Sequence, residues 1–153
     1  MLVMQASFKK LLLLTFKVAF PFSFVWEMVQ MFAYAPFGQS TAQTWLFCGL
    51  ASIADSAYIT ALYWLGNYFT QNDRWIAHLT WRRIITIAIV GIISATIIER
   101  IALTFRLWQY SDAMIRVPVL QVGIIPLIQL SVLPLLTFWI VKYAIERQKT
   151  PNR

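Results

Sequence analysis

Four stretches of about 20 predominantly apolar residues constrain the fold of this chain more than any other feature of its sequence. A transmembrane helix needs about 20 such residues, because each adds about 1.5 Å of rise across a hydrocarbon core about 30 Å thick. The stretches predict an all-α fold, a polytopic membrane four-helix bundle in which residues 1–153 form a single transmembrane domain. The predicted spans are residues 11–35, 44–65, 84–105 and 119–141.

The composition agrees with a membrane environment and excludes most soluble classes of protein. Hydrophobic residues make up 59% of the chain and charged residues 12%, and the mean hydropathy is +0.65. A soluble domain carries about 25% charged residues, so this chain has too little polar surface to face water. The single cysteine, Cys48, and the single histidine, His78, exclude an intrachain disulfide, a thiolate metal cluster and sites built from several histidines. We predict no metal and no cofactor.

The positions of the basic residues predict the orientation of the spans. Of the 13 Lys and Arg residues, most fall in the terminal segments and the second loop, which four spans place on one side. Cytoplasmic segments are enriched in Lys and Arg, so both termini are predicted to be cytoplasmic, in a multi-pass protein of the cell inner (plasma) membrane. No nucleic-acid-binding motif accompanies the net charge of +7, which therefore indicates contact with membrane lipids and no nucleic acid. The residues on the predicted cytoplasmic side are Lys9, Lys10, Lys17, Arg74, Arg82, Arg83, Lys142, Arg147, Lys149 and Arg153.

Polar residues inside the spans are the candidates for function, since a charge at the bilayer centre costs about 2.5–3.5 kcal/mol on insertion scales. Helical rise puts Glu27 and Asp55 about 15 Å deep, near the midplane, with Gln129 at similar depth. A carboxyl group that faced lipid would lose its hydration without gaining a partner. We therefore predict that Glu27 and Asp55 face one interior cavity with Gln30 and Gln129, and that the pair holds a proton at neutral pH.

Helical spacing adds further polar side chains to the predicted cavity, because residues three, four or seven apart share a helix face. Glu99 lies beside Arg100 and close in sequence to Arg106, which favours a structural ion pair for this carboxylate. Gly91 and Ala95 in the third span suit close packing against another helix. The predicted cavity-lining residues are Gln30, Tyr34, Ser52, Glu99, Arg100, Arg106, Gln121 and Gln129.

Three kinds of function are compatible with this pattern. The first is a non-catalytic membrane subunit or lipid-binding module, favoured because the sequence contains no recognised catalytic motif. The second is an intramembrane enzyme on an isoprenoid or lipid substrate, with Glu27 and Asp55 as the catalytic acid/base pair and aromatic faces stabilising a cation. The third is a small transporter, against which the short chain and the missing repeat argue unless it oligomerises. The predicted partners are accordingly an isoprenoid or other apolar ligand, a partner membrane protein, or further copies of the chain in a homo-oligomer.

Short motifs of polar and aromatic residues are spread over most of the chain: Trp26-Glu27-x-x-Gln30, Glu99 with Arg106-x-Trp108-x-Tyr110, and Pro118 and Gly123 with Pro126-x-x-Gln129. In these motifs the chain resembles a family of small uncharacterised four-span inner-membrane proteins of bacteria, and the resemblance implies a four-span membrane protein. The pairing of carboxylates with aromatic residues in a small bundle is also similar to membrane-embedded terpene and carotenoid cyclases. The Pro-x-Glu-Glu-type element of lycopene cyclase domains is absent.

Overall fold

The computed structural model describes residues 2–36 and 40–147, which form four long helices and short connections. Each of the four helices is long and apolar enough to cross a membrane. The predicted all-α four-helix fold is therefore confirmed, and the chain is a multi-pass integral membrane protein. Two of the basic residues used to predict its orientation, Lys149 and Arg153, lie outside the described residues. The helices are α1 (Leu2–Gln30), α2 (Thr41–Thr70), α3 (Trp81–Thr104) and α4 (Ile124–Arg147).

Local sequence explains where α2 begins and ends. Ser40 caps its first turn: the Gln43 backbone N–H donates to Ser40 Oγ at 3.3 Å, and the Ser40 N–H donates to Gln43 Oε1 at 3.2 Å. This reciprocal pair satisfies two amide groups that the first helical turn leaves without partners. The helix ends at Thr70, and the next residue, Gln71, has a left-handed backbone with φ 51°. Two short 3₁₀ helices, Met31–Ala33 and Trp75–His78, follow α1 and α2.

The hydropathy pattern predicts that the fourth helix begins near residue 119, but the helix begins at Ile124. The difference arises because the residues before Ile124 form a tight hairpin. Strand β1 (Arg116–Val117) pairs antiparallel with strand β2 (Val122–Gly123). Gln121 adopts a left-handed backbone with φ 57°, and its side-chain amide donates to the Pro118 carbonyl at 2.5 Å. Within residues 2–36 and 40–147 this ribbon is the only sheet, so the fold is all-α apart from one turn.

Helix α4 is the centre of the bundle, since it packs against both α1 and α3, while α1 also packs along α2. Helices α3 and α4 approach closely at Gly91, where a Cβ atom would collide with the carbonyl oxygen of Leu130. Small residues allow this kind of backbone approach between membrane helices. By contrast, α2 and α3, which are both described over their full length, have little backbone contact with each other. The ring of helices therefore has a gap between α2 and α3.

The two halves of the bundle are filled differently. We call the end that carries residues 71–80 the termini end, and the end that carries residues 31–36 and 105–123 the loop end. Near the termini end, the rings of Tyr63, Trp75 and Phe138 pack on one another with centroids 5.4–6.2 Å apart. The Trp75 indole N–H also donates to the Tyr63 carbonyl at 3.1 Å. This half is a solid apolar core, which we call the packed half, whereas the loop-end half contains a cavity and is called the hollow half.

Candidate functional site

A cavity of about 420 Å³ lies in the hollow half and is lined by residues from all four helices. Most of its wall is apolar. The wall also carries three carboxyl groups, those of Glu27, Asp55 and Glu99, and the side-chain amides of Gln30 and Gln129. Because the carboxyl groups come from α1, α2 and α3, the cavity is the point where acidic residues of three different helices converge.

The side-chain amide of Gln129 on α4 joins the two carboxyl groups near the middle of the bundle. Its Nε2 donates one hydrogen to Glu27 Oε1 at 2.7 Å and the other to Asp55 Oδ2 at 2.5 Å. Gln30 Nε2 donates to the same Glu27 oxygen at 2.7 Å, and the Trp26 indole N–H donates to Gln30 Oε1 at 3.0 Å. Both glutamine side chains turn their Nε2 donors toward carboxyl oxygens, which accept these hydrogen bonds. The network therefore ties α1, α2 and α4 together.

Glu27 and Asp55 also lie next to each other, since both accept a hydrogen bond from the same nitrogen atom, Gln129 Nε2. A proton on one of the two relieves the repulsion between such neighbouring carboxylates. Among the described residues that line the cavity there is no Lys or Arg to neutralise a second negative charge. Chemically, such a pair can hold one proton between two oxygens and release it to a bound molecule.

Glu99 is only 4% exposed and accepts hydrogen bonds from three neutral donors at the loop end. Tyr34 donates to its Oε1 at 3.5 Å, while the Trp108 indole at 3.3 Å and the Tyr110 hydroxyl donate to its Oε2. The Tyr110 oxygen in turn accepts the Gly123 backbone N–H at 2.8 Å, which fixes the direction in which Tyr110 donates. Burial and the bond to Glu99 raise the pKa of Tyr110, which lies outside the spans, so its hydroxyl keeps its proton.

The cavity opens sideways between α2 and α3. The lining residues on α1 and α4 are buried or half-buried. Several lining residues on α2 and α3, by contrast, are also exposed on the outer surface of the bundle. Leu50 and Ala54 of α2 are exposed, Leu50 at 54%, and Ile98 of α3 is 43% exposed. Leu107, just beyond α3, is 62% exposed. These rim residues are apolar, so in a membrane the opening faces hydrocarbon.

The predicted interaction of Glu99 with Arg100 and Arg106 is wrong for the part of the chain that the structure describes. Arg100 is exposed and its Nε donates to the Leu120 carbonyl at 3.0 Å. Consecutive residues of a helix point about 100° apart, so sequence adjacency carries Arg100 away from the cavity. Arg106 follows the end of α3 and has a left-handed backbone with φ 55°. It lies outside the cavity wall and lines a neighbouring groove at the loop end, which shares Leu107 and Trp108 with the cavity.

Two other predicted cavity residues also lie elsewhere. Ser52 is fully buried and its hydroxyl donates to the Cys48 carbonyl at 2.5 Å, so it bonds within α2. Gln121 is exposed in the hairpin before α4 and therefore shares no helix face with Gln129. The remaining predicted residues do line the cavity: Glu27, Gln30, Tyr34, Asp55, Glu99 and Gln129.

Three aromatic residues of the cavity wall, Phe47, Tyr58 and Trp108, are not among the residues predicted from the sequence. Tyr58 lies three residues beyond Asp55 on the same helix, a spacing that places both on one face. Trp108 and Tyr110 alternate in an extended segment, which directs both side chains to the same side, in this case toward Glu99. The spacing of Tyr58 and the alternation of Trp108 and Tyr110 are both visible in the sequence. They point to the cavity only once the positions of Asp55 and Glu99 in the fold are known.

Neither a metal site nor a known relative identifies the cavity. Within residues 2–36 and 40–147, no three side chains of His, Cys, Asp or Glu are grouped so that they can hold a metal ion. Comparison of the chain with protein-family models, curated proteins and solved structures finds no match. Function is therefore inferred from the chemistry of the cavity.

Proposed function

We propose that this chain is a non-catalytic membrane protein that binds a lipid or another apolar ligand between its four helices. The cavity carries the proposal, because it combines a volume of about 420 Å³ and a mostly apolar wall with a few convergent polar groups. Binding sites for small ligands share these properties and have volumes of about 300–1,000 Å³. The opening between α2 and α3 offers such a ligand entry directly from the hydrocarbon.

The filling of the bundle favours binding over transport. A transporter exposes its site to one side of the membrane and then to the other. Here Tyr63, Trp75 and Phe138 are all buried in the packed half and fill the path from the cavity to the termini end. The cavity is accordingly suited to bind a ligand that enters through its opening, because the packed half closes it toward the termini end.

A second function, acid catalysis on an isoprenoid or lipid substrate, is supported by one observation. Glu27 and Asp55 lie side by side in the cavity, bonded to the same Gln129 nitrogen, and a carboxyl pair of this kind can hold a proton that a bound double bond accepts. The rings of Tyr58 and Trp108 line the same cavity and would stabilise the cation formed. This function predicts that Glu27→Gln and Asp55→Asn variants still bind the substrate but no longer convert it.

Native mass spectrometry of the protein released from detergent micelles tests the binding proposal. We expect the wild-type chain to retain one lipid molecule. Ala54→Phe places a ring in the opening and should lower the retained fraction several-fold, since Ala54 both lines the cavity and is exposed. Ala57→Phe is the matched control, because Ala57 is exposed on the same helix but lies outside the cavity wall.

The identity of the retained molecule separates the candidate functions. A specific isoprenoid together with its converted product would favour the enzyme, and an unconverted lipid the binding protein. A co-purified protein in place of lipid would instead favour a subunit of a larger membrane assembly. Equal lipid retention by the Ala54→Phe and Ala57→Phe variants would show that the lipid sits on the outer surface, and the proposal would then be abandoned.

We further infer that the termini end faces the cytoplasm. Arg74, Arg82, Arg83 and Arg147 all belong to that end, and basic residues favour the cytoplasmic side. Reporter fusions at Gln39 and Arg153 test this orientation. The fusion at Arg153 should report a cytoplasmic position and the fusion at Gln39 the opposite side, and a reversed pattern would refute the orientation.

A further inference from the structure

We propose that the ligand of this cavity is a single-chain amphiphile with a cationic ammonium headgroup, which enters from the membrane between α2 and α3. This inference rests on the proposed binding function and adds the chemical class of the ligand and its route. The headgroup would lie among Glu27, Asp55 and Glu99, and the alkyl chain would leave through the gap between α2 and α3.

In the described wall of the cavity, the residues of charged type are all acidic. Three carboxyl groups line it, whereas the described lining residues include no Lys or Arg. Their partners are neutral amide, phenol and indole groups, such as Gln129, which orient the carboxyl groups but supply no positive charge. A buried carboxylate without a positive partner is costly in a medium of low dielectric constant. A ligand that carries one positive charge would supply the missing partner.

Aromatic rings beside the carboxyl groups strengthen the preference for an ammonium headgroup. Tyr34 and Trp108 line the cavity next to Glu99, and their rings meet edge to face with centroids 6.5 Å apart. Tyr58 lines the cavity next to Asp55. The faces of such rings attract quaternary ammonium groups, and the attraction grows where water is excluded. Carboxyl groups and aromatic rings together therefore select for a positive charge on an organic group.

The volume of the cavity and its apolar rim indicate the size of the headgroup and the number of alkyl chains of the ligand. A volume of about 420 Å³ is near the lower end for small-ligand sites, so it suits a headgroup and the first part of one chain. The rim residues Leu50, Ala54 and Ile98 are apolar and exposed, which provides a hydrocarbon-like surface for the remainder of the chain. An anionic phosphate headgroup would meet three carboxyl groups and no cation in the described wall, and is disfavoured by repulsion.

Three dodecyl compounds that differ in headgroup charge test the ligand class. Binding of dodecyltrimethylammonium, uncharged dodecyldimethylamine oxide and zwitterionic dodecylphosphocholine to the full chain is measured calorimetrically in dodecyl maltoside micelles at neutral pH. Equal mole fractions in the micelle remove differences in partitioning. We expect dodecyltrimethylammonium to bind at one molecule per chain and about tenfold more tightly than the amine oxide, the scale of one cation–π or charge interaction at a desolvated site.

Carboxyl variants locate the charge that is responsible. The double variant Glu27→Gln with Asp55→Asn should remove most of the preference for the ammonium compound, because it keeps the shapes of both side chains and removes the negative charge that the pair shares. Asp112→Asn is the matched control, since Asp112 is an exposed acidic residue at the loop end that lies outside the cavity wall. The ranking of the three compounds on the wild-type chain tests the inference even where the double variant does not fold.

The possible outcomes separate this inference from the proposed function. If the amine oxide binds as tightly as the ammonium compound and both are weakened by Ala54→Phe, the binding function stands and the cationic ligand class is overturned. Tightest binding of dodecylphosphocholine, or an equal loss in the Glu27→Gln/Asp55→Asn double variant and in Asp112→Asn, also overturns it. If none of the compounds binds saturably to the wild-type chain, both the inference and the proposed function fail.

Discussion

Replacing Gln129 with leucine removes the amide that reaches both Glu27 and Asp55, while keeping a side chain of similar length in the cavity wall. Gln129 donates one hydrogen to each carboxyl group, at 2.7 and 2.5 Å. Glu27 keeps its bond from Gln30, whereas Asp55 loses its amide partner. The two carboxyl groups are therefore affected unequally, and most of the loss should come from Asp55.

The expected loss in unfolding free energy is about 2 kcal/mol. Hydrogen bonds between membrane helices average about 0.6 kcal/mol and reach about 1.7 kcal/mol in double-mutant cycles. The lower value applies to Glu27, which keeps a donor, and the upper value to Asp55. The cost exceeds that of an ordinary surface substitution because a buried acceptor is left without its partner.

Reversible unfolding in mixed micelles of dodecyl maltoside and dodecyl sulfate, followed by far-ultraviolet circular dichroism, measures this loss. A double-mutant cycle combines Gln129→Leu with Asp55→Leu. If the two side chains bond as the structure has them, the double variant should lose about 1 kcal/mol less than the two single variants together, because two apolar groups leave no unsatisfied partner. Gln109→Leu, at an exposed position of the loop end, is the control and should have little effect.

Additivity of the two substitutions would refute the reasoning. Sites without a shared interaction add to within about 0.5 kcal/mol, so a coupling energy below that value would mean that Gln129 and Asp55 act independently. A loss in the Gln109→Leu control as large as that of Gln129→Leu would equally contradict it, because the effect would then follow from lost polarity in general.

Two further predictions concern packing and the loop end. Gly91→Ala should lower the unfolding free energy by about 1–3 kcal/mol, because it overpacks α3 against the Leu130 carbonyl. Gly49→Ala, where a Cβ meets no atom within 4 Å, should raise it by about 0.5–1 kcal/mol. The same micelle unfolding assay measures both variants, and a change of the same sign in the two would contradict the packing. Because burial raises the pKa of Tyr110 in the folded state, its contribution to stability is complete below the unfolded value of about 10 and is lost as the pH rises toward the folded value. Tyr110→Phe should therefore flatten the fall in unfolding free energy above about pH 10, and an unchanged fall in that variant would contradict the prediction.

The helices could be predicted from the sequence because a bilayer imposes a simple rule: every backbone amide in hydrocarbon has to be satisfied within its own helix. Long apolar runs therefore indicate helices with little ambiguity. The start of α4 could not be predicted in this way. It depends on Gln121, which adopts a left-handed backbone in the hairpin, and single-residue backbone choices of this kind leave no trace in hydropathy.

Part of the cavity was also accessible from the sequence. Helical rise converts sequence distance into depth, and it assigns Glu27, Asp55 and Gln129 to one layer, where the structure joins them by hydrogen bonds. Depth alone does not determine which way a side chain points around the helix axis. Arg100 was therefore grouped with Glu99 although the two point in different directions, and the donors from the loop end, which depend on how residues 105–123 fold back, could not be found.

The contrast between the packed half and the hollow half makes the protein asymmetric with respect to the two leaflets of a bilayer. The opening between α2 and α3 lies in the hollow half, so a ligand that enters by the proposed route would reach the carboxyl groups from one leaflet only. Lipids of the other leaflet meet a closed surface backed by Tyr63, Trp75 and Phe138. An inverted chain would keep the same fold and the same cavity but would sample the opposite pool of lipids. If the cavity binds lipid as proposed, the basic residues of the termini end would decide, through the direction of insertion, which leaflet supplies the ligand.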